Sequence, residues 1–102
     1  MAYQSVFKPD LFAGQTIVVT GGGSGIGRCT AHELAALGAQ VVLIGRKQEK
    51  LDQVVGEIRE DGGRASGYSC DIRDEEKVKE TVRQIVSALG PVHGLVNNAG
   101  GQ

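Results

Sequence analysis

The chain has 102 residues, of which 40% are hydrophobic and 23% charged, and its formal net charge is −1. This length and composition are typical of one globular domain and exclude two. Acidic and basic residues are interspersed, so the sequence lacks both the basic field that nucleic acid requires and the polybasic stripe of membrane-surface proteins. We therefore expect a small-molecule substrate, with no nucleic-acid or membrane partner.

The first strand of the chain is predicted by a β-branched run at residues 16–20, and a glycine-rich turn and a helix follow it. Gly38 is predicted to end this helix. The helix face expected to pack on a sheet consists of Ile26, Thr30, Leu34 and Leu37. A second strand is predicted over residues 40–44, before a second helix with i, i+3, i+4, i+7 spacing. The apolar positions of that helix are Leu51, Val54, Val55 and Ile58.

The second half of the chain continues the alternation of strands and helices. A third strand is predicted over residues 64–70, and the acidic turn at residues 74–76 opens a third helix that Gly90 and Pro91 close. Its predicted buried stripe is Val78, Val82, Ile85, Val86 and Leu89. A fourth strand is predicted over residues 92–97. The order βαβαβαβ predicts an α/β fold with a Rossmann-type, doubly wound parallel sheet that ends after its fourth strand.

The N-terminal 15 residues contain no apolar run of signal-peptide length. We interpret residues 1–15 as an N-terminal extension and expect a cytoplasmic location. The two cysteines, Cys29 and Cys70, have neither C-x-x-C spacing nor the Cys/His spacing of a metal site. They are predicted to be reduced packing residues, and no metal site is predicted.

The most specific signal is the turn at residues 20–27, which reads Thr-Gly-Gly-Gly-Ser-Gly-Ile-Gly. A helix N-terminus leaves backbone N–H groups unpaired, and glycines let a pyrophosphate approach them closely. The spacing is T-G-x-x-x-G-x-G, not G-x-G-x-x-G. A P-loop is disfavoured because Arg28 and Cys29 stand where Lys and Ser or Thr are required. The turn therefore predicts a dinucleotide site, and a glycine turn without a ligand is the alternative.

Three motifs together resemble the N-terminal half of the short-chain dehydrogenases/reductases. They are the glycine turn, Cys70-Asp71-Ile72 after the third strand, and Asn97-Asn98-Ala99-Gly100 after the fourth. The motifs follow the family's order and spacing over most of the chain. The resemblance implies that residues 16–102 are the NAD(P)-binding half-domain of a longer enzyme. It also implies that Thr20 and Asn97 tie the glycine turn to the fourth strand.

The same resemblance assigns cofactor contacts to the carboxyl ends of the strands. The residues implied for the pyrophosphate and its ribose are Gly21, Ser24, Gly25, Ile26 and Gly27. Asp71 and Ile72 would flank the adenine. The residues implied for the path to the nicotinamide ribose are Asn98, Ala99 and Gly100.

The position after the second strand distinguishes NAD from NADP, because an acid there holds the ribose 2′-OH and repels a 2′-phosphate. Here Gly45 stands at that position and is followed by Arg46 and Lys47. Their cationic donors suit a 2′-phosphate, which arginine can bind through two hydrogen bonds. NADP (NADPH) is therefore favoured over NAD. A solvated basic pair at a helix start is the alternative.

The family's catalytic pair, Tyr-x-x-x-Lys with an upstream serine, finds no match. Tyr3 and Tyr68 are followed four residues later by Phe7 and Ile72. No catalytic residue is assigned, and His32 and His93 are interpreted as surface or strand-end residues. The fourth strand would leave an unpaired apolar edge, so we expect a fragment, or the ordered part of a longer protein, that is inactive by itself.

The expected function of the parent protein is NADP-dependent hydride transfer to or from a carbonyl or secondary alcohol, by a homo-oligomer. The segments at 6–11, 70–74 and 97–102 resemble more weakly the 2,4-dienoyl-CoA and trans-2-enoyl-CoA reductase branch. An enoyl-CoA or dienoyl-CoA reductase, for which a peroxisomal location would fit, is therefore one alternative. A non-catalytic NADP-binding sensor is another.

Overall fold

A computed structural model describes residues 10–21, 23 and 25–98. Three helices and four strands alternate in it, and the strand ends differ from the predicted ones by no more than two residues. The elements are β1 (Thr16–Thr20), α1 (Gly25–Ala36), β2 (Gln40–Gly45), α2 (Gln48–Glu60), β3 (Arg64–Ser69), α3 (Glu75–Leu89) and β4 (Gly94–Asn97).

The strands of the described residues form one parallel sheet in the order β3-β2-β1-β4. The chain moves outward from β1 through β2 to β3, then crosses back to place β4 on the other side of β1. The strand order therefore reverses between β1 and β4, and in open α/β sheets ligands bind at the carboxyl ends beside such a reversal. The predicted Rossmann-type α/β fold is confirmed.

Strand β2 is buried on both of its faces because helices cover both sides of the sheet. Val41 and Leu43 pack in one core with residues of α1 and α2. Val42 and Ile44 pack in a second core with Ile85 of α3. The sheet is thus doubly wound, as predicted.

Helix α2 packs as its spacing predicted, because all four of its predicted apolar positions are buried. Helix α1 does not. Ile26 is 77% exposed, and Thr30 and Leu34 are only half-buried. The buried face consists of Gly27, Ala31 and Ala35. Small side chains allow α1 to lie close to the sheet, and larger apolar residues are left at its margins.

The predicted stripe of α3 is also partly wrong. Val82 and Val86 are each 44% exposed, whereas Thr81 and Ile85 are buried. Val78 and Leu89 are half-buried and pack against the core, as predicted. The predicted buried stripe includes too many residues, because the buried face of α3 is centred on Thr81 and Ile85. The prediction for Cys29 is corrected as well, because Cys29 is exposed while Cys70 is buried.

The amino ends of the strands are closed by hydrogen bonds. The N–H of Phe12 donates to the carbonyl of Leu37 at 2.8 Å, and the N–H of Gln40 donates to the carbonyl of Gln15 at 2.8 Å. The Nδ1 atom of His93 accepts the N–H of Thr16 at 3.0 Å. Within the described ranges, no helix is both long and apolar enough to cross a membrane.

Candidate dinucleotide site

The glycine turn lies at the carboxyl end of β1 and leads directly into α1. Gly21 and Gly25 have φ angles of 69° and 59°, in the left-handed region that favours glycine. The N–H of Gly21 donates to the carbonyl of Ile44 at 2.8 Å, so this amide is engaged by β2. A Cβ atom built on Gly25 meets nothing within 4 Å. Gly21 therefore shapes the turn, and open space lies in front of Gly25.

The first turn of α1 supplies backbone amides without acceptors inside the helix, beside this open space. Gly27 in this turn is buried. Ile26 presents an exposed apolar side chain next to it. Ser24, Ala99 and Gly100, which the sequence assigns to the same site, lie outside the described residues.

The end of β4 is joined to the end of β1 through Thr20. The Thr20 hydroxyl donates to the side-chain oxygen of Asn97 at 3.0 Å and accepts the backbone N–H of Asn98 at 3.0 Å. The predicted role of Thr20 and Asn97 in tying the two strands is confirmed. The side-chain Nδ2 of Asn98 is buried and has no hydrogen-bond partner among the described residues. This orphaned donor at the strand reversal fits a polar ligand such as a dinucleotide ribose.

The end of β2 carries Gly45, which is the last residue of the strand, followed by Arg46 and Lys47. Both cations are exposed, and within residues 10–21, 23 and 25–98 neither side chain forms a hydrogen bond or an ion pair. Lys47 stands at the N-cap of α2 and provides no side-chain cap. Cations at a helix N-terminus oppose the helix dipole, so an anionic ligand there would offset their cost.

The end of β3 leads to a carboxylate that an arginine holds in place. Arg73 donates to Asp71 through Nε at 3.1 Å, Nη2 at 2.9 Å and its backbone N–H at 3.0 Å. The side-chain hydrogen bonds of Arg73 are the main cause that lowers the pKa of Asp71 to about 2, and the backbone bond and the charges of Arg73 and Arg46 add to it. Asp71 is therefore ionised at neutral pH. Ile72 beside it is 37% exposed.

Four of the predicted positions thus lie at the carboxyl ends of the four strands, which end at one edge of the parallel sheet. They are Gly21 after β1, Arg46 after β2, Asp71 after β3 and Asn98 after β4. The arrangement offers backbone amides, cationic donors, an ionised acceptor and a buried amide donor. These groups together can bind a polyanion that carries sugar and base moieties.

Sequence reasoning missed a second polar cluster, which joins α1 to α2. Glu57 of α2 accepts hydrogen bonds from Arg28 Nε at 3.0 Å and from the Nη2 of the same residue. His32 Nε2 lies 2.9 Å from the same carboxylate. The hydrogen bond from His32 is the main cause that lowers the pKa of Glu57. No i, i+4 pattern could reveal this cluster because its partners lie on different helices.

Metal binding has no support in the parts of the chain that the structure describes. No group of three or more His, Cys, Asp or Glu side chains is placed there to hold an ion.

Comparison with known proteins identifies the family. A model described as short chain dehydrogenase matches residues 15–102. The chain belongs to the short-chain dehydrogenase family. A 2,5-dichloro-2,5-cyclohexadiene-1,4-diol dehydrogenase of Sphingobium indicum is 46% identical over 87 residues, which cover 85% of this chain and 34% of that protein. A peroxisomal 2,4-dienoyl-CoA reductase of Arabidopsis thaliana is 37% identical over 97 residues, 95% of this chain and 33% of the reductase.

Solved structures of the family share the fold. A citronellol catabolism dehydrogenase of Pseudomonas aeruginosa PAO1 matches with a TM-score of 0.91 and 66% identity, over 93% of this chain and 40% of that one. A metagenomic short-chain oxidoreductase in complex with NADP matches with a TM-score of 0.84 and 42% identity, over 86% and 40%. The chain thus spans about a third of the curated relatives' length and about two fifths of the solved chains.

Proposed function

We propose that residues 16–102 are the cofactor-binding half-domain of a longer, NADP(H)-dependent oxidoreductase. The enzyme transfers a hydride to or from a carbonyl or a secondary alcohol. The observation that carries the proposal is the pair of exposed cations, Arg46 and Lys47, at the carboxyl end of β2 where an NAD-specific protein would place an acid. Among the described residues, their side chains form no hydrogen bond or ion pair. A nicotinamide cofactor supplies the hydride chemistry when bound.

The residues of this chain bind and orient the cofactor in this proposal. The amides that begin α1 hold the pyrophosphate near Gly25, and Arg46 with Lys47 holds the 2′-phosphate. Asp71, kept ionised by Arg73, accepts from the adenine amino group. Asn98 donates its orphaned amide toward the nicotinamide ribose. The residues that the family motif implies beside them, Ser24, Ala99 and Gly100, lie outside the described residues and are proposed to complete these contacts.

The comparisons support an enzyme over a sensor. The citronellol catabolism protein and the diol protein are both named as dehydrogenases, and the metagenomic oxidoreductase was solved in complex with NADP. In this proposal, the residues that transfer protons lie in the part of the enzyme that this chain does not span. We expect purified residues 1–102 to show no substrate-dependent NADPH oxidation. The homo-oligomeric parent and the cytoplasmic location stay predictions.

A second candidate is an NADPH-dependent 2,4-dienoyl-CoA or enoyl-CoA reductase. The observation in its favour is the 37% identity to the Arabidopsis thaliana peroxisomal reductase over nearly the whole chain. Both candidates use the same cofactor site, so the substrate distinguishes them. Consumption of NADPH by the full-length protein with a dienoyl-CoA, but not with ketones, would favour the reductase.

The cofactor proposal is tested by titrating NADPH and NADH into the full-length protein and following the fluorescence of the reduced nicotinamide. We expect tighter binding of NADPH. Arg46→Asp should reverse the preference. Loss of one charge-assisted hydrogen bond should change the ratio of the NADPH and NADH dissociation constants by about ten- to 150-fold. Arg83→Asp, which changes an exposed cation on α3, is the matched control and should leave the ratio unchanged. A wild-type protein that prefers NADH would overturn the proposal.

A further inference from the structure

The loop that carries Arg46 is fastened to the end of β3 by its backbone. The N–H of Cys70 donates to the carbonyl of Gly45 at 2.8 Å. One residue earlier, the hydroxyl of Ser69 donates to the carbonyl of Arg46 at 3.1 Å. The backbone of Arg46 is therefore held by the Ser69 side chain at the end of the neighbouring strand.

Ser69 is itself oriented by the first residue of α2. Its backbone N–H donates to Oε1 of Gln48 at 3.2 Å, and Nε2 of the same amide donates to Asp52 at 2.8 Å. Since Asp52 accepts from the nitrogen, the amide oxygen of Gln48 is the atom that faces Ser69. The contacts of Ser69, Gln48 and Asp52 form one chain of hydrogen bonds that links β3, the loop and α2.

The hydroxyl of Ser69 is not needed for core packing, because Ser69 is exposed. Water could satisfy the Arg46 carbonyl equally well in a loop with no binding role. The side chain of Arg46 is long and, among the described residues, has no partner that orients it. An arginine binds phosphate more tightly when its backbone is already in place, since less ordering is required on binding.

We infer that Ser69 is a positioning residue that determines cofactor specificity by fixing the Arg46 backbone for contact with the 2′-phosphate of NADP. The inference rests on the proposed function, because it requires Arg46 to bind that phosphate. It adds a residue of β3 to the discrimination between NADP and NAD, one whose neutral hydroxyl acts through the Arg46 backbone.

The inference is tested with 2′,5′-ADP and 5′-AMP, two probes that differ only in the 2′-phosphate. Isothermal titration calorimetry with the full-length protein measures the dissociation constants of both probes. Ser69→Ala should weaken binding of 2′,5′-ADP by about two- to tenfold, the range for one lost hydrogen bond, and leave 5′-AMP binding unchanged. Ser69→Thr keeps the hydroxyl and should restore most of the preference. Ser87→Ala, on the exposed face of α3, is the matched control and should change neither probe.

The outcomes distinguish failure of the inference from failure of the proposed function. If the wild-type protein binds both probes equally, the NADP preference fails and the inference fails with it. If the wild-type protein prefers 2′,5′-ADP and Ser69→Ala keeps the full preference, the inference is overturned and the proposed function stands. Equal weakening of both probes by Ser69→Ala also overturns it, since a general structural role would have that effect.

Discussion

The hydroxyl of Thr20 donates to the side-chain oxygen of Asn97 at 3.0 Å, and the two residues are the last of β1 and of β4. The same oxygen of Thr20 accepts the backbone N–H of Asn98 at 3.0 Å. One hydroxyl thus joins the two strands between which the strand order reverses. Thr20 is only 8% exposed, so this hydroxyl adds a buried side-chain link to the backbone pairing of the two strands.

Thr20→Val tests the contribution of this hydroxyl while keeping the shape of the side chain. We expect a loss of about 1 kcal/mol in the free energy of unfolding, because the exposed Asn97 and the half-buried Asn98 both lose their part-buried hydrogen bonds to Thr20. Thr81→Val is the matched control. Thr81 is as buried as Thr20, but among the described residues its hydroxyl bonds only to the Lys77 carbonyl of its own helix, so the change should be small. Equal losses in urea unfolding would contradict this account.

His93→Ala should destabilise the amino ends of β1 and β4. The buried N–H of Thr16 donates to Nδ1 of His93, and truncation leaves that donor without its acceptor, which costs about 1–3 kcal/mol. His93→Asn places a side-chain oxygen near the position of Nδ1 and should recover part of the loss. Thermal unfolding of the three proteins measures the effect. If the asparagine variant is no more stable than the alanine variant, the hydrogen bond contributes nothing.

Gly25→Ala and Gly56→Ala form a matched pair, since a Cβ atom built on either glycine meets nothing within 4 Å. Gly25 has a φ of 59°, so an alanine there costs about 1 kcal/mol of backbone strain. Gly56 lies inside α2, where alanine stabilises by about 0.5–1 kcal/mol. Only Gly25→Ala should also weaken dinucleotide binding, because its methyl group occupies the space proposed for the pyrophosphate. Binding is measured by NADPH fluorescence, and equal affinities in the two variants would place the phosphate elsewhere.

Glu57→Gln should lower stability at neutral pH, and the deficit should vanish in acid. The hydrogen bond from His32, with smaller contributions from Arg28, lowers the pKa of Glu57 below its ordinary 4.5. The folded state therefore binds fewer protons than the unfolded state in this range, so stability rises with pH there. The contribution, about 0.3–1 kcal/mol for partly exposed partners, is complete above pH 4.5 and is lost as the pH falls through the lowered pKa.

Urea unfolding of the wild type and of Glu57→Gln between pH 7 and pH 3 measures this difference. Glu80→Gln, at an exposed position of α3, is the control and should show no comparable pH-dependent deficit. A deficit for Glu57→Gln that grows as the pH falls would reverse the expected sign and contradict the prediction.

The strand and helix order was predictable because hydrophobic spacing and glycine punctuation act over a few residues. The buried face of each helix was less predictable. Leu51, Val54, Val55 and Ile58 have neighbours on only one side of α2, so their spacing identifies the buried face. In α1 the apolar side chains flank the buried face and alanines form it, and hydrophobicity alone ranks Ile26 above Ala31.

The placement of the candidate site residues at the ends of the strands was predictable where a short segment contains the whole feature, as in the glycine turn or in Arg46 and Lys47. It was not predictable where the feature needs two distant segments. Ser69 and Arg46 are 23 residues apart, and Arg28 and Glu57 are 29 apart. Nothing in the local sequence of either partner marks these contacts, since they depend on strand order and helix packing.

The size of the buried side chains of α1 determines how close the helix lies to the sheet, and therefore where the backbone amides at its start lie. Ala31 is fully buried and Ala35 nearly so, and both lie against the sheet. A larger side chain at either position would push the helix axis outward. The amides that begin the helix would move with it, away from the crevice beside β1. Natural variation in methyl groups at these two positions would then adjust how far a bound phosphate lies from the sheet, without changing any residue that contacts the ligand.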